Sequence, residues 1–452
     1  MVVQKFGGTS VADPDAIQRL IAIVRATRAR DGRGPAVVVS AMSKVTDALL
    51  GIAAASGNGH VDEALPAIEQ LRARHHATAA ALASSSVADG LGAAIDSAFD
   101  DLASLAKALT VLREVSPRTL DLVAAIGEIL SSRIVAAALN EAGVPAEWVD
   151  ARRAVITDAE HTRAVPLAEE THAALRATAL AAIDAGRVPV LGGFVGSTKD
   201  GHTTTLGRGG SDYSGALVGA GIGAREIQIW TDVDGMLTAD PRVVKSPRLV
   251  PQLSFAEAAE LAYFGAKVLH PSTILPAVER NIPVRILNSR RPDGTGTLIT
   301  AEPAADATPL TALACKRDLT VVDIRSSRML MAYGFLRQVF EVFERYRTSV
   351  DVVTTSEVTV SVSIDDRRNL DAVVRALSEF AEVTVEHDMA LLCAVGDRLR
   401  TEPAIAARAV GVLEEMPLRM ISQAASCRNI TVILRASSLQ HAMERLHEEF
   451  FT

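Results

Sequence analysis

The chain has 452 residues, 48% of them hydrophobic, and a formal net charge of −8 from 46 basic and 54 acidic side chains. That length exceeds what one hydrophobic core serves, so two or three domains are expected, and the acidic balance argues against a nucleic-acid partner and leaves any anionic substrate to be met by local positive charge. No apolar run approaches the roughly 20 residues of a membrane span, no leader pattern precedes the first apolar segment, and Cys315, Cys393 and Cys427 are scattered without a CxxC, so the expectation is no membrane contact, no metal-ligand set, and a reducing cytoplasm.

Taken in chain order, the first 300 residues alternate short apolar runs with longer helical patterns, which predicts a layered α/β domain. Val2 to Phe6 reads as a first strand. Ala16 to Arg30 follows with Ile17, Leu20, Ile21 and Val24 at helical spacing. Ala36 to Ser40 is a buried strand behind Gly34-Pro35. Residues 50 to 115 are alanine-rich and helical, with His75-His76 on an exposed arginine-rich helix. Leu120 to Ala142 is a long helix ended by Gly143 and Pro145. Val188 to Leu191 and Ile227 to Trp230 are further strands. Pro292, Gly294, Gly296, Pro303 and Pro309 then mark a break.

Beyond the break the rhythm changes. Leu319 to Arg325 (strand), Gly334 to Tyr346 (helix), Val350 to Ser356 and Val358 to Ile364 (strands), Asp371 to Phe380 (helix) and Val383 to Val385 (strand) give the order βαββαβ. Leu391 to Val395, Ala404 to Met416, Met420 to Ser422, Ile430 to Leu434 and Leu439 to Phe451 nearly repeat it, without a closing strand. The spare strand Thr311 to Lys316 is expected to complete that second sheet, which would insert the first unit within the second. A continuous sandwich without repeats is the alternative.

Chemistry concentrates in a few places. Gly207-Arg208-Gly209-Gly210-Ser211-Asp212 strips side chains from one short loop, so that backbone N–H groups turn towards an anion at the start of a helix. Arg208 adds a planar fork suited to a carboxylate or phosphate. In Lys5-Phe6-Gly7-Gly8-Thr9-Ser10 a lysine at a strand end precedes two glycines; it is either a phosphate contact or a surface lysine before a tight turn, and it is not a Walker A loop, where the lysine follows the glycines. Glu128 lies among Val123, Ala124, Ile126 and Ile129, and needs either Arg133 on its own helix or a cationic ligand group. Thr231-Asp232-Val233-Asp234-Gly235 and Asp240-Pro241-Arg242 follow a strand, where α/β proteins bind ligands. Phe264 to Pro271 carries Lys267, within reach of a phosphate or ribose or else on a solvated face, and His270, read as structural. Gly219 to Ala224 fits the dinucleotide pattern GxGxxA, but a helix precedes it and a strand follows, so it reads as a glycine-rich helix stop.

Together, Lys5 to Ser10, Gly207 to Asp212, Trp230-Thr231-Asp232-Val233 and Phe264 to Pro271 resemble the aspartate kinases over the whole chain, closest in pattern to lysine-inhibited forms. The resemblance implies the amino-acid kinase fold, a central mainly parallel sheet with helices on both faces, over residues 1–300. It also implies two C-terminal βαββαβ (ACT-like) units, the first at 319–388 inserted within the second at 311–318 plus 389–452. It implies transfer of a phosphoryl group from ATP with Mg2+ to the side-chain carboxylate of L-aspartate, an amino-acid effector, and a homo-oligomer formed through the ACT units.

By the same resemblance Lys5 and Asp212 are catalytic, and Ser40, Thr46, Glu128, Arg208 and Ser211 hold the substrate, with Arg208 on its α-carboxylate and Glu128 on its α-ammonium. Lys5, Gly7, Gly8, Thr231, Asp232, Arg242 and Lys267 contact the nucleotide. Leu237 stands where many relatives carry Tyr. Met329, Gly334, Phe335, Leu336, Ser349, Val350, Asp351, Thr355, Ser356 and Glu357 resemble the effector site, with Asp351 taking the effector's amino group and lysine expected as that effector. Ala332 stands where those relatives often have Ser.

Overall fold

Short β-branched runs that are buried on both sides pair in parallel between helical layers, and the first half of this chain is built that way. Its strands are β1 (Val2–Phe6), β2 (Ala36–Val39), β3 (Ala146–Val149), β4 (Ile156–Thr157), β5 (Val188–Gly192), β6 (Val195–Thr198), β7 (Thr203–Thr205) and β8 (Glu226–Thr231). Its helices are α1 (Pro14–Asp31), α2 (Val45–Gly57), α3 (Val61–Leu82), α4 (Ser85–Leu112), α5 (Pro117–Glu141), α6 (Ala168–Leu175), α7 (Ala181–Asp184) and α8 (Gly210–Ile222). The computed structural model describes residues 1–265, 271–303, 308–326, 333–423 and 426–452. Two compact units result: Met1–Met236 with Leu269–Ala301, and Leu237–Val268 with Glu302–Thr452.

In the first unit the sheet runs in the order β3, β5, β2, β1, β8, then the strand Val284–Asn288 and the strand Thr297–Thr300. All neighbours pair in parallel except the last two, which are antiparallel. The carboxyl ends of β1, β2, β5 and β8 therefore open on one side of the sheet. A second, smaller sheet joins β4, β6 and β7. The helix ends follow their capping chemistry. Asp13 accepts from the Ala16 N–H at 2.8 Å ahead of Pro14, and Gly32, at φ 66°, closes α1.

Ile17, Leu20, Ile21 and Val24 of α1 pack with Ile68 of α3, Phe99 and Leu102 of α4, and Ile134 of α5 in one core. Two expectations change here. By length and composition α5 suffices to cross a membrane, although no long apolar run stands out in the sequence; 72% of its most apolar window is buried inside this unit. His75 is not on an exposed face: it is fully buried against Phe99, bonds the Leu71 carbonyl at 2.7 Å, and burial pushes its pKa down to about 4, so the ring stays neutral. Gly219 and Gly221 are packing glycines, set against Ile227 and Leu175, and Gly223 ends α8 in the left-handed conformation, as expected of a helix stop.

The second unit contains a six-stranded antiparallel sheet ordered Val353–Thr355, Thr359–Ile364, Ala312–Arg325, Glu382–Val395, Asn429–Arg435, Met420–Gln423. Two pairs of short strands expected from the sequence are thus fused into two central strands of 14 residues each. Each changes course at an aspartate with positive φ, Asp318 at 62° and Asp388 at 57°, where the register between them shifts. On one side of the kinks, helices Phe335–Arg345 and Leu370–Ser378 bury Val339, Val342 and Val373 against Val322 and Val362. On the other, helices Pro403–Gly411 and Leu439–Phe451 bury Ile405, Leu446 and Phe450 against Leu313, Leu392 and Val432. Ala312–Lys316 pairs with Leu391–Val395, which pairs in turn with Asn429–Arg435. Residues Ala239, Val243 and Val244, expected with the first domain, share this second core.

An aspartate in the left-handed region carries a local strain of about 1 kcal/mol that glycine lacks. Asp388 is exposed, so Asp388→Gly is expected to leave the melting temperature of the second unit unchanged or raise it, and Asp388→Val to lower it by several degrees. Calorimetry of both variants checks this, and equal melting for the two would contradict the strain.

Candidate active site

The residues that follow four parallel strands converge on one cavity of about 580 Å³. β1 delivers Lys5, Gly7 and Gly8, and the segment after β2 delivers Ser40 to Lys44, Thr46 and Asp47. Phe194 follows β5, and β8 ends in Thr231, with Asp232 next along the chain. The loop Gly207–Asp212 and Glu128 of α5 complete the lining. Ligands at the carboxyl edge of a parallel sheet are the general expectation for such folds, and the size suits a small ligand or a nucleotide.

Lys5 is 7% exposed and would be costly to bury unpaired. Its Nζ lies 2.7 Å from Asp212 Oδ1, in the first turn of α8. Gly215, one turn on, leaves room for the lysine stem; a Cβ there would sit 3.2 Å from Lys5 Cβ. Beneath, Phe6 stacks on Trp230 at 6.0 Å, and Ser10 bonds the Trp230 carbonyl and Ser289. The first constellation is therefore a buried ion pair and not a surface lysine before a turn.

The glycine loop needs its glycines for backbone reasons. Gly207 and Gly209 have φ of 74° and 73°, and a Cβ on Gly209 would stand 2.6 Å from the Thr273 methyl. Phe194, at φ 66°, takes a conformation that bulky residues rarely adopt. It is held there by its N–H donating to Ser214 Oγ at 2.8 Å and its carbonyl accepting from the Leu206 N–H at 2.9 Å. Arg208 is exposed and lines the same cavity as Lys5.

Glu128 is 3% exposed and one of its carboxyl oxygens has no hydrogen-bond partner. Arg133 does not supply one; its guanidinium lies over the Trp148 ring at 4.1 Å. Burial pushes the Glu128 carboxyl up to about 8, against the opposing pull of a backbone hydrogen bond from Ala41 and the positive charge of Lys5. The helix is locked beside the strand ends by Ser131, whose hydroxyl donates to the Ser40 carbonyl at 2.8 Å. Gly192 lets β5 pass, since a Cβ would come 2.9 Å from the Glu128 carbonyl.

Ser40, Thr46 and Ser211 line the cavity as expected. So do Lys44, Asp47, Thr9 and Phe194, to which the sequence assigned no role. Lys44 had one usable signal, its place in the short loop after a buried strand. It takes a φ of 66° at the start of α2. Arg242 lies in the second unit, where it grips Asp240 with two nitrogens at 2.6 and 3.0 Å. Lys267 and Met329 lie outside the described residues.

Among the expected effector residues, Gly334 opens a helix at φ 86°, and Ser349, Thr355, Ser356, Glu357 and Leu336 are exposed. Val350 is half-buried. Phe335 is a core side chain set edge-on to Phe380 at 5.9 Å. Asp351 already holds an ammonium group: Lys316 Nζ sits 2.9 and 3.0 Å from its two oxygens and 2.6 Å from Asp365. Burial works to lower the pKa of Lys316, but Asp365 and Asp351 outweigh it and hold the lysine protonated.

Residues 1–288 match the amino acid kinase family, and residues 392–450 match an ACT domain. Over 471 residues the chain is 38% identical to the chloroplastic aspartokinase 3 of Arabidopsis thaliana, covering 99% of this chain and 81% of that protein. It is 35% identical to the lysine-sensitive aspartokinase 3 of Escherichia coli (strain K12) over 460 residues, which covers 100% of this chain and 99% of the relative. Its fold is similar to that of E. coli aspartokinase III in complex with lysine and aspartate, with a TM-score of 0.84 and 34% identity over 100% of both chains. The complex of that enzyme with aspartate and ADP has a TM-score of 0.83, again with 34% identity and full coverage of both chains. The chain therefore belongs to the amino acid kinase family, as an aspartokinase with ACT-type domains at its C-terminus.

Proposed function

We propose that the cavity at the carboxyl edge of the sheet is where this aspartokinase brings L-aspartate and ATP together, with Lys5 as the central cation. The observation that carries the reading is the Lys5–Asp212 pair at 2.7 Å in one cavity with Glu128 and Arg208. The attacking side-chain carboxylate has a pKa of about 4, so it is ionised and needs no general base. The reaction instead requires two anions to be aligned and their charge neutralised. A carboxylate oxygen attacks the γ-phosphorus, the bond to the β-γ bridging oxygen breaks, and 4-phospho-L-aspartate and ADP leave. Lys5 neutralises the transferring group and Asp212 orients Lys5. Arg208 takes the substrate α-carboxylate, Glu128 its α-ammonium, and Ser40, Thr46 and Ser211 donate to the remaining oxygens.

Gly7, Gly8, Thr231, Asp232, Arg242 and Lys267 are assigned to the nucleotide. Magnesium is assigned to the triphosphate as part of the substrate, in keeping with its habit of binding phosphate oxygens with one or two carboxylates. The regulatory reading assigns 319–388 to one ACT unit inserted in a second, 311–318 plus 389–452, with the catalytic domain at 1–300 apart from the segment that packs with the second unit. Lysine is the proposed effector, as in the lysine-sensitive E. coli relative. A homodimer through the ACT units and a cytoplasmic location complete the proposal.

Three outcomes test this reading. Lys5→Ala is expected to lower kcat by ~10²–10³ or more while the melting temperature stays near that of the parent. Near-normal ADP release with aspartate would remove Lys5 from the chemistry.

The second concerns protons. With its carboxyl raised to about 8, Glu128 is mostly neutral at pH 7 before substrate binds. The substrate ammonium favours the ionised form, so binding releases about one proton. Aspartate affinity should then rise between pH 6 and 8 and level off above 8. Titration calorimetry at pH 7 in buffers of different ionisation enthalpy is expected to show that release in the parent and to lose it in Glu128→Gln. A buffer-independent enthalpy for the parent would contradict the assignment.

The third follows from Lys316, which occupies the carboxylate that an effector's amino group would use. Removing that internal competitor in Lys316→Met should lower the lysine concentration for half-inhibition by roughly tenfold, about 1.4 kcal/mol of competition. An unchanged or higher concentration would argue against Asp351 as the ammonium site.

A further inference from the structure

Asp121 is a fully buried carboxylate on α5 that the reaction does not use. It gathers donors from two other segments. Thr205 Oγ1, at the end of β7, donates at 2.5 Å, and the Thr162 N–H donates at 3.0 and 3.1 Å. His161 Nδ1 lies 2.6 Å away, its side chain 16% exposed. The Ala164 N–H meets the Thr205 carbonyl at 2.9 Å, and the Thr162 carbonyl lies within 3.2 Å of where a Cβ on Gly207 would stand. Thr162 itself is held at φ 70°. The cluster thus binds β7 and the loop around 158–166 to α5 immediately before the glycine loop begins.

Its position on α5 gives it leverage. Asp121 and Glu128 are seven residues apart, two turns on the same helix face. Thr205 precedes Arg208 by three residues. The two groups assigned to the amino acid, the Glu128 carboxylate and the Arg208 guanidinium, therefore sit on elements that Asp121 joins. A buried carboxylate with several donors fixes geometry firmly, and losing one partner leaves the others unpaired.

We propose that Asp121, with His161 and Thr205, is a positioning residue for substrate binding, setting the separation between Glu128 and the Arg208 loop to fit the α-amino and α-carboxylate groups of one amino acid. The proposal rests on the reading of Glu128 and Arg208 as the substrate clamp. Lys5 lies on β1 and Gly7 and Gly8 follow it; none of them bonds a member of this cluster, so the nucleotide side is expected to be spared.

The test is steady-state kinetics of Asp121→Asn and of the milder Thr205→Val, with aspartate and ATP varied separately, beside Arg208→Ala and the double variants. The expected result is a KM for aspartate raised roughly tenfold with the KM for ATP unchanged. In the Arg208→Ala background, neither substitution should raise the KM for aspartate further. If Asp121→Asn does not fold, Thr205→Val carries the same comparison. A parallel rise in both KM values, an unchanged KM for aspartate, or full additivity with Arg208→Ala overturns the positioning role. If Arg208→Ala alone leaves the KM for aspartate unchanged, the clamp reading fails and this proposal fails with it, a result separable from failure of Asp121 alone.

Discussion

A buried ammonium must find a carboxylate, and the first unit is arranged so that Lys5 finds Asp212. The two residues are separated by most of the unit's sequence, yet they meet at 2.7 Å. Parallel pairing makes this possible. Every crossover returns the chain to the same side of the sheet, so the loops after β1, β2, β5 and β8 share one edge. Glycines then let backbone and lysine stem approach closely, at Gly215 beside Lys5 and at Gly192 beside Glu128. Without that packing the cation would lack both its partner and its dry surroundings.

The same packing leaves one group dissatisfied. Glu128 is held among apolar neighbours with a free oxygen, and burial makes its ionised form expensive in the absence of a ligand. Such a group weakens the fold, and a donor or cation brought into the cavity would relieve it. The strained Phe194 and the left-handed Gly207 and Gly209 lie around the same cavity. Local cost thus collects where a ligand would act, as it commonly does at functional sites.

The second unit shows a different solution. Two long strands pass through both halves of its sheet, each kinked at an aspartate, so the halves share backbone hydrogen bonds while keeping separate cores. The Lys316–Asp351–Asp365 group spans that geometry, since Lys316 lies on the side of the kink that pairs with Leu391 while Asp351 leads into the strands of the other half. The internal ammonium of Lys316 leaves the Asp351 carboxylate satisfied, unlike that of Glu128.

Much of this was legible in the amino-acid order. Strand and helix identities followed from β-branched runs, glycines and caps, and the pairing of Lys5-Phe6-Gly7-Gly8 with Gly207 to Asp212 pointed to an anion site, because motif and spacing are local properties. Three things were not legible. His75 looked exposed because its helix is rich in arginine, whereas only the position of α4 buries it. The short strands near 316 and 388 looked separate because kinks at Asp318 and Asp388 interrupt a periodicity that hydrogen bonding continues. Glu128 could have paired with Arg133 or with a ligand; the arginine lies over the Trp148 ring instead, and one Glu128 oxygen has no partner within the protein. Local sequence thus determined which segments fold and which residue types could bind anions. Tertiary structure decided which charges are satisfied within the protein and which are not, because pairing and burial depend on neighbours far away along the chain.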